Sequence, residues 1–256
     1  MQNNLRNTII TSHSSTFSRA LFTIALFGGM IVQNTQAAIA LDRTRVIFDG
    51  SQKSVSLNIS NQNKQLPYLA QGWIEDEQGN KIQSPLTVLP PVQRIEPGKP
   101  SQVKIQGMPA TKNLPQDHYF NLREIPPKSN KPNTLQIALQ TRIKLFYRPA
   151  AIAMVKNAPP PQEQLTLRKE NDKYVVINPT AYYITLVDAA TKKDGLGIKN
   201  FEPVMVPPKS SLPLRVSVAE MGNSPVLTYV NDYGGRPQLN FSCTGNLCAV
   251  KAVTKA

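Results

Sequence analysis

TLQIALQTRIKLFY, residues Thr134–Tyr147, alternates with period two over all fourteen positions. Leu135, Ile137, Leu139, Thr141, Ile143, Leu145 and Tyr147 share one face, and Gln136, Ala138, Gln140, Arg142, Lys144 and Phe146 share the other. That period belongs to a β-strand. No Gly or Pro interrupts it before Pro149. At about 3.3 Å per residue it would reach roughly 45 Å, against a usual strand of about 5–6 residues. A strand that long overruns one small sandwich. It is either a core strand that bends between two sheets, or one whose uncovered apolar part pairs with another chain.

The N-terminus points to export. Arg6 and Arg19 are the only Lys, Arg, Asp or Glu before Asp42, Ala20–Val32 is apolar, and Thr35-Gln36-Ala37 is a small-x-small cleavage site. Residues 1–37 therefore read as a signal peptide, with an apolar run too short to span a bilayer comfortably. No other segment is apolar enough for stable membrane insertion. Removing 37 of 256 residues leaves 219, enough for two domains of about 110. Lys and Arg total 29 against 16 acidic residues; without Arg6 and Arg19 the balance is +11. The cations are spread along the chain without interleaved aromatics, which argues against nucleic acid and for acidic partners or ordinary solvated surface.

Twenty-two prolines, frequent β-branched residues and little 3.6-residue periodicity predict an all-β chain. Strand candidates are Thr44–Phe48, Ser54–Ser60, Tyr68–Glu75, Gln102–Gln106, His118–Ile125 and the long strand. Trp73, mid-strand, reads as a core anchor. Pro90-Pro91 and Pro126-Pro127 read as rigid extended joints. After Pro149 the pattern resets through Asn157-Ala158-Pro159-Pro160-Pro161. A second series then follows, from Leu165–Lys169 to Ala249–Ala252. The expected division is residues 38–150 and 155–256.

Cys243 and Cys248 flank a turn, and a disulfide is their default state after export. His118 is the only histidine beyond the signal, which leaves a metal site short of ligands. A Ser–His–Asp hydrolase would have to use that same residue, and no G-x-S-x-G motif accompanies it. No phosphate-cradling Gly-rich loop is present, and no cofactor is expected.

LDRTRVIFDG (Leu41–Gly50), NKQLPYLAQGWIE (Asn63–Glu75), PPVQRIEPG (Pro90–Gly98), YFNLREIPP (Tyr119–Pro127), LQIALQTRIKLFYRP (Leu135–Pro149) and YVNDYGGRP (Tyr229–Pro237) resemble the periplasmic pilus-assembly chaperones of the PapD type. The likeness covers nearly the whole chain after the signal. It is dense in the first domain and patchier in the second. It implies two immunoglobulin-like β-sandwich domains set at an angle around a cleft, and a periplasmic, non-enzymatic chaperone. Its partners would be pilus subunits, completed by donor-strand complementation, and an outer-membrane usher that receives them. The donor strand would be residues 134–147, with Leu135, Ile137 and Leu139 entering the subunit. Arg45 and Lys144 match the pair that anchors the subunit's C-terminal carboxylate. Glu124, Arg148 and Asp232 match an interdomain ion network. The exposed apolar row would also allow self-association through edge strands.

Overall fold

The structure is a computed structural model that describes residues 37–108, 116–155 and 158–251; the expected signal peptide lies outside the described residues, Ala37 excepted. The first sandwich comprises β1 (Ile39–Leu41), β2 (Arg45–Asp49), β3 (Ser54–Asn61), β4 (Tyr68–Glu75), β5 (Lys81–Ile82), β6 (Leu86–Leu89), β7 (Val92–Ile95), β8 (Pro100–Gly107), β9 (Gln116–Ile125) and β10 (Gln140–Arg148). One sheet has the order β1-β3-β8-β6. The other is β2-β10-β9-β4-β5, with β7 also on β4. Their inner faces supply one core, in which Phe48, Leu57, Ile105, Phe120 and Leu145 are fully enclosed. β1, β5, β6 and β7 are absent from the strand candidates because each is short, and Pro85, Pro90 and Pro91 separate the last three.

The second sandwich comprises β11 (Thr166–Glu170), β12 (Lys173–Asn178), β13 (Ile184–Ala190), β14 (Val204–Val206), β15 (Ser210–Ser217), a short helix α1 (Val218–Met221), β16 (Val226–Tyr229), β17 (Gln238–Thr244) and β18 (Leu247–Val250). Its strands follow the order β14-β13-β16-β17-β18-β11-β12-β15. β17 turns the corner between the layers. Gln238–Asn240 pair with β16, and Phe241–Thr244 pair with β18. A separate core forms around Leu167, Tyr174, Leu186, Leu227 and Phe241. Cys243 and Cys248 face each other across the β17–β18 turn and are disulfide-bonded. Each sandwich buries one asparagine that ties down a loop. Asn61 donates to the carbonyls of Leu66 and Ile95, and Asn178 donates to those of Tyr182 and Pro207.

Two expectations need correction. Trp73 is not a core residue. It lies on the outer face of β4, half-buried between Lys81 and Arg123, with its indole N–H donating to Glu75 at 2.7 Å. Its neighbours Gly72 and Ile74 hold the inward positions. Nor is 134–147 one strand. The ladder begins at Gln140, and 134–139 continue as chain outside it. The register explains the break. Gln140 pairs with Arg123, and the Glu124 amide donates to the Leu139 carbonyl at 3.0 Å. β9 ends at Ile125, and Pro126 and Pro127 beyond it have no N–H to donate. On the other flank β2 runs parallel to β10 and pairs only with Lys144–Arg148.

Leu145 and Ile137 share a face by alternation yet differ completely in environment. Leu145→Ala is expected to cost about 2–5 kcal/mol of stability, as for other buried leucines. Ile137→Ala should stay within about 0.5 kcal/mol, as for an exposed site. Urea denaturation of both variants measures the difference; equal losses would mean that the apolar row is continuous core.

Candidate functional site

The outer face of the β2-β10-β9-β4 sheet carries the chemistry. Parallel pairing puts Arg45 directly beside Lys144, so both side chains leave the same face, opposite buried Val46 and Leu145. Phe146 lies one step along that face, with the Arg45 guanidinium 5.8 Å from its ring centre. Arg45 Nη1 donates to the carbonyl of Val230 in the second sandwich at 3.1 Å. Its Nε is buried with no hydrogen-bond partner among the described residues. Burial pushes the Arg45 guanidinium below its ordinary value; Asp232 opposes this and Arg148 adds to it. Guanidinium remains a cation throughout. A hollow of about 460 Å³ opens beside it, lined by Thr44, Arg45, Ile47, Asp232 and Tyr233 among others.

Lys144 is ion-paired with Asp117 of β9, and its ammonium sits 4.0 Å from the Tyr119 ring centre. Arg142 covers the same ring at 3.3 Å and binds Glu75 at 2.9 Å. Burial raises the Asp117 carboxyl above its usual range, against the lowering effect of Lys144. Alternation along β9 foretells this layer: Asp117, Tyr119, Asn121 and Arg123 face out while His118, Phe120 and Leu122 face in. Asp117 was missed because its role depends on which residue of β10 lies across from it.

Arg148 and Asp232 form a bidentate pair between the sandwiches, at 2.6 and 2.8 Å. The Tyr182 ring lies 4.9 Å from the Arg148 guanidinium, and Phe146 packs on Tyr183 with centroids 5.9 Å apart. Glu124 does not join this pair. It accepts the amide of Ile39 at 2.9 Å and so secures β1. Tyr147 pairs with Gln116 and Arg148 lies one step beyond, so Glu124 is about 31 Å along the sheet from Arg148, at about 3.4 Å per residue, and on the inward face. Motif position alone misplaced it, whereas strand parity would have excluded it.

Leu135, Ile137 and Leu139 are 85%, 67% and 41% exposed, while Leu145 on the same row is fully enclosed. Three apolar side chains thus project at alternate positions from a segment that leads straight into the Arg45–Lys144 pair. The arrangement suits an extended apolar partner ending in an anion. His118 lies on the inward face, its Nε2 3.1 Å from Gln116 Oε1. Among the described residues no three His, Cys, Asp or Glu side chains cluster as a metal site would require, and no helix is long and apolar enough to cross a membrane.

Residues 38–153 match the family described as pili and flagellar-assembly chaperone, PapD N-terminal domain, and residues 160–241 match pili assembly chaperone PapD, C-terminal domain. The chain belongs to this family of non-enzymatic pilus-assembly chaperones, with two immunoglobulin-like domains. It is 52% identical over 232 residues to the probable fimbrial chaperone YfcS of Escherichia coli K12, covering 89% of this chain and 92% of that one. It is 50% identical over 226 residues to the chaperone protein PapD of Escherichia coli, covering 86% and 93%. The crystal structure of the CupB2 chaperone of Pseudomonas aeruginosa superposes with a TM-score of 0.64 at 28% identity, over 78% of this chain and 98% of that one.

Two predictions follow from the geometry. Asp232→Ala leaves Arg148 largely buried without its counter-ion, and should cost about 1–3 kcal/mol. Calorimetry should show a lower transition that begins to separate into two, and a single unshifted transition would refute the coupling. His118 is held neutral by burial, partly offset by Glu77 and Asp76. Its folded value lies below the unfolded 6.5, so its contribution is complete above that pH and is lost as pH falls through the folded value. His118→Gln should flatten the loss of stability between about pH 7 and 5 relative to wild type, read by urea midpoints.

Proposed function

We propose that the chain captures newly exported pilus subunits in the periplasm, anchors their C-terminal carboxylate on Arg45 and Lys144, and lends Leu135, Ile137 and Leu139 to complete their fold. The observation that carries this reading is the exposed apolar row running directly into the paired cations. A subunit strand laid along 134–143 would meet free backbone on the flank that β2 leaves open, because β2 begins opposite Lys144. The alternate side chains would then fill successive pockets on one face of the subunit. The anchor fixes register. A one-residue slip would turn every apolar donor to the wrong face, and a charged carboxylate contact is about twice as strong as a neutral one. Binding also covers an exposed apolar edge that otherwise invites aggregation or pairing between free copies. Release to an outer-membrane usher completes the proposed cycle. Lending the strand covers groove surface at roughly 25 cal/mol per Å², and tighter packing of polymerised than of chaperone-held subunits drives the exchange without nucleotide.

Co-purification with the pilus subunits encoded in its own gene neighbourhood tests the reading. Wild type should yield a one-to-one complex. Lys144→Ala should weaken capture by about 2–5 kcal/mol, the range for truncating one member of a buried charge pair. Ile137→Glu should fold normally yet fail to protect subunits. Undiminished capture by both variants would overturn the proposal.

A further inference from the structure

The anchoring lysine already holds a carboxylate. Asp117 Oδ2 is paired with Lys144 Nζ within the chain itself. The Asp117 side chain is 1% exposed and that of Lys144 is 26% exposed. The lysine side chain is thus partly exposed while the carboxylate it holds is enclosed. The second oxygen of Asp117, Oδ1, is buried with no hydrogen-bond partner among the described residues. A buried carboxylate is kept ionised by opposite charges and hydrogen bonds; among the described residues this one has a single ammonium.

We propose that Asp117 is the resident counter-ion of the anchor: it occupies Lys144 in the free protein, competes with the incoming subunit carboxylate, and makes capture proton-linked. This rests on the anchoring role of Lys144 stated above. A second carboxylate on the same ammonium places two like charges side by side, and such pairs share a proton rather than both ionise. The other groups around Asp117 do not relieve the conflict. On β10, Arg142 is committed to Glu75. Beyond β4, Glu77 adds a further negative charge, and the Tyr183 hydroxyl of the second sandwich turns to Glu77 at 3.4 Å. Arg45 of β2 is held by the Val230 carbonyl. On β9 itself, Tyr119 lies beneath the two cations and His118 faces inward.

The sign follows. Burial already holds the Asp117 carboxyl above its usual range. A bound carboxylate raises it further, so a proton is taken up on binding and affinity increases as pH falls through the interval between the two values. Above that interval the ionised Asp117 opposes the ligand in full. A neutral isostere at 117 removes the competition at every pH.

The test uses the full chain and an N-acetylated nonapeptide of alternating valine and serine, with a free C-terminal carboxylate or as its C-terminal amide. The ratio of the two affinities isolates the anchor. Asp117→Asn should raise the carboxylate-to-amide ratio about tenfold at pH 7.5, the factor for one pK unit of coupling. It should also abolish the pH dependence of the ratio between pH 5.5 and 8. His118 is retained in that variant, so any slope of its own would persist. The peptide carboxylate, with a value of about 3.3–3.7, is ionised throughout. An unchanged or lower ratio in Asp117→Asn would overturn the proposal by making Asp117 a mere support for Lys144. If Lys144→Ala leaves the ratio unaltered, the anchoring reading fails instead, and the two failures are distinct. Should Asp117→Asn not fold, calorimetric titration of wild type in buffers of different ionisation enthalpy decides. Proton uptake with the carboxylate peptide alone supports the proposal, and equal or absent uptake with both peptides refutes it.

Discussion

The β9–β10 ladder ends where β9 gives way after Ile125 to Pro126 and Pro127, which have no backbone N–H to donate, and that ending divides one alternating row into two environments. From Gln140 onward the strand is an ordinary member of a sheet, with Leu145 and Tyr147 in the core. Before it, the same alternation continues without a ladder to hold it, and Leu135, Ile137 and Leu139 stand in solvent. Extended backbone with apolar side chains at every second position is a hazard in most proteins. In the role proposed for this chain it is the surface offered to a subunit.

The second constraint is the parallel pairing of β2 with β10, the one parallel ladder among the described strands. It places Arg45 and Lys144 side by side, where an antiparallel partner would have brought a different register. Arg148 follows on the same face and meets the second sandwich. Three cations are thus gathered on one sheet face, each held by a specific acceptor: the Val230 carbonyl, Asp117 and Asp232. Fixing long cationic side chains before a partner arrives lowers the entropy lost on binding. Those acceptors also limit how freely each cation can serve an incoming anion.

The second sandwich has its own core and meets the first through the Val230 carbonyl, a tight turn and a pair of tyrosines. Asn231–Gly235 presents Asp232 to Arg148, while Tyr182 and Tyr183 pack against Arg148 and Phe146. Buried ion pairs of this sort specify an arrangement more than they add stability.

Much of this was legible along the chain. Period two marked the strands, the outer layer of β9 and the long apolar row, because side-chain alternation is a local property of extended backbone. The Cys243–Cys248 pairing followed from a turn of four residues between them. Motif likeness located Arg45, Lys144, Arg148 and Asp232, yet it misassigned Glu124, whose inward parity and distance along β9 separate it from Arg148. Trp73 was misread because an aromatic in a strand looks like core until the flanking Gly72 and Ile74 are seen to face inward. What the tertiary structure alone decided was register and cover. Which residue lies across from which set the Asp117–Lys144 pair. Where a neighbouring strand stops set which half of one alternating row is core and which is exposed. Both depend on contacts between segments distant in sequence, and no local pattern encodes them.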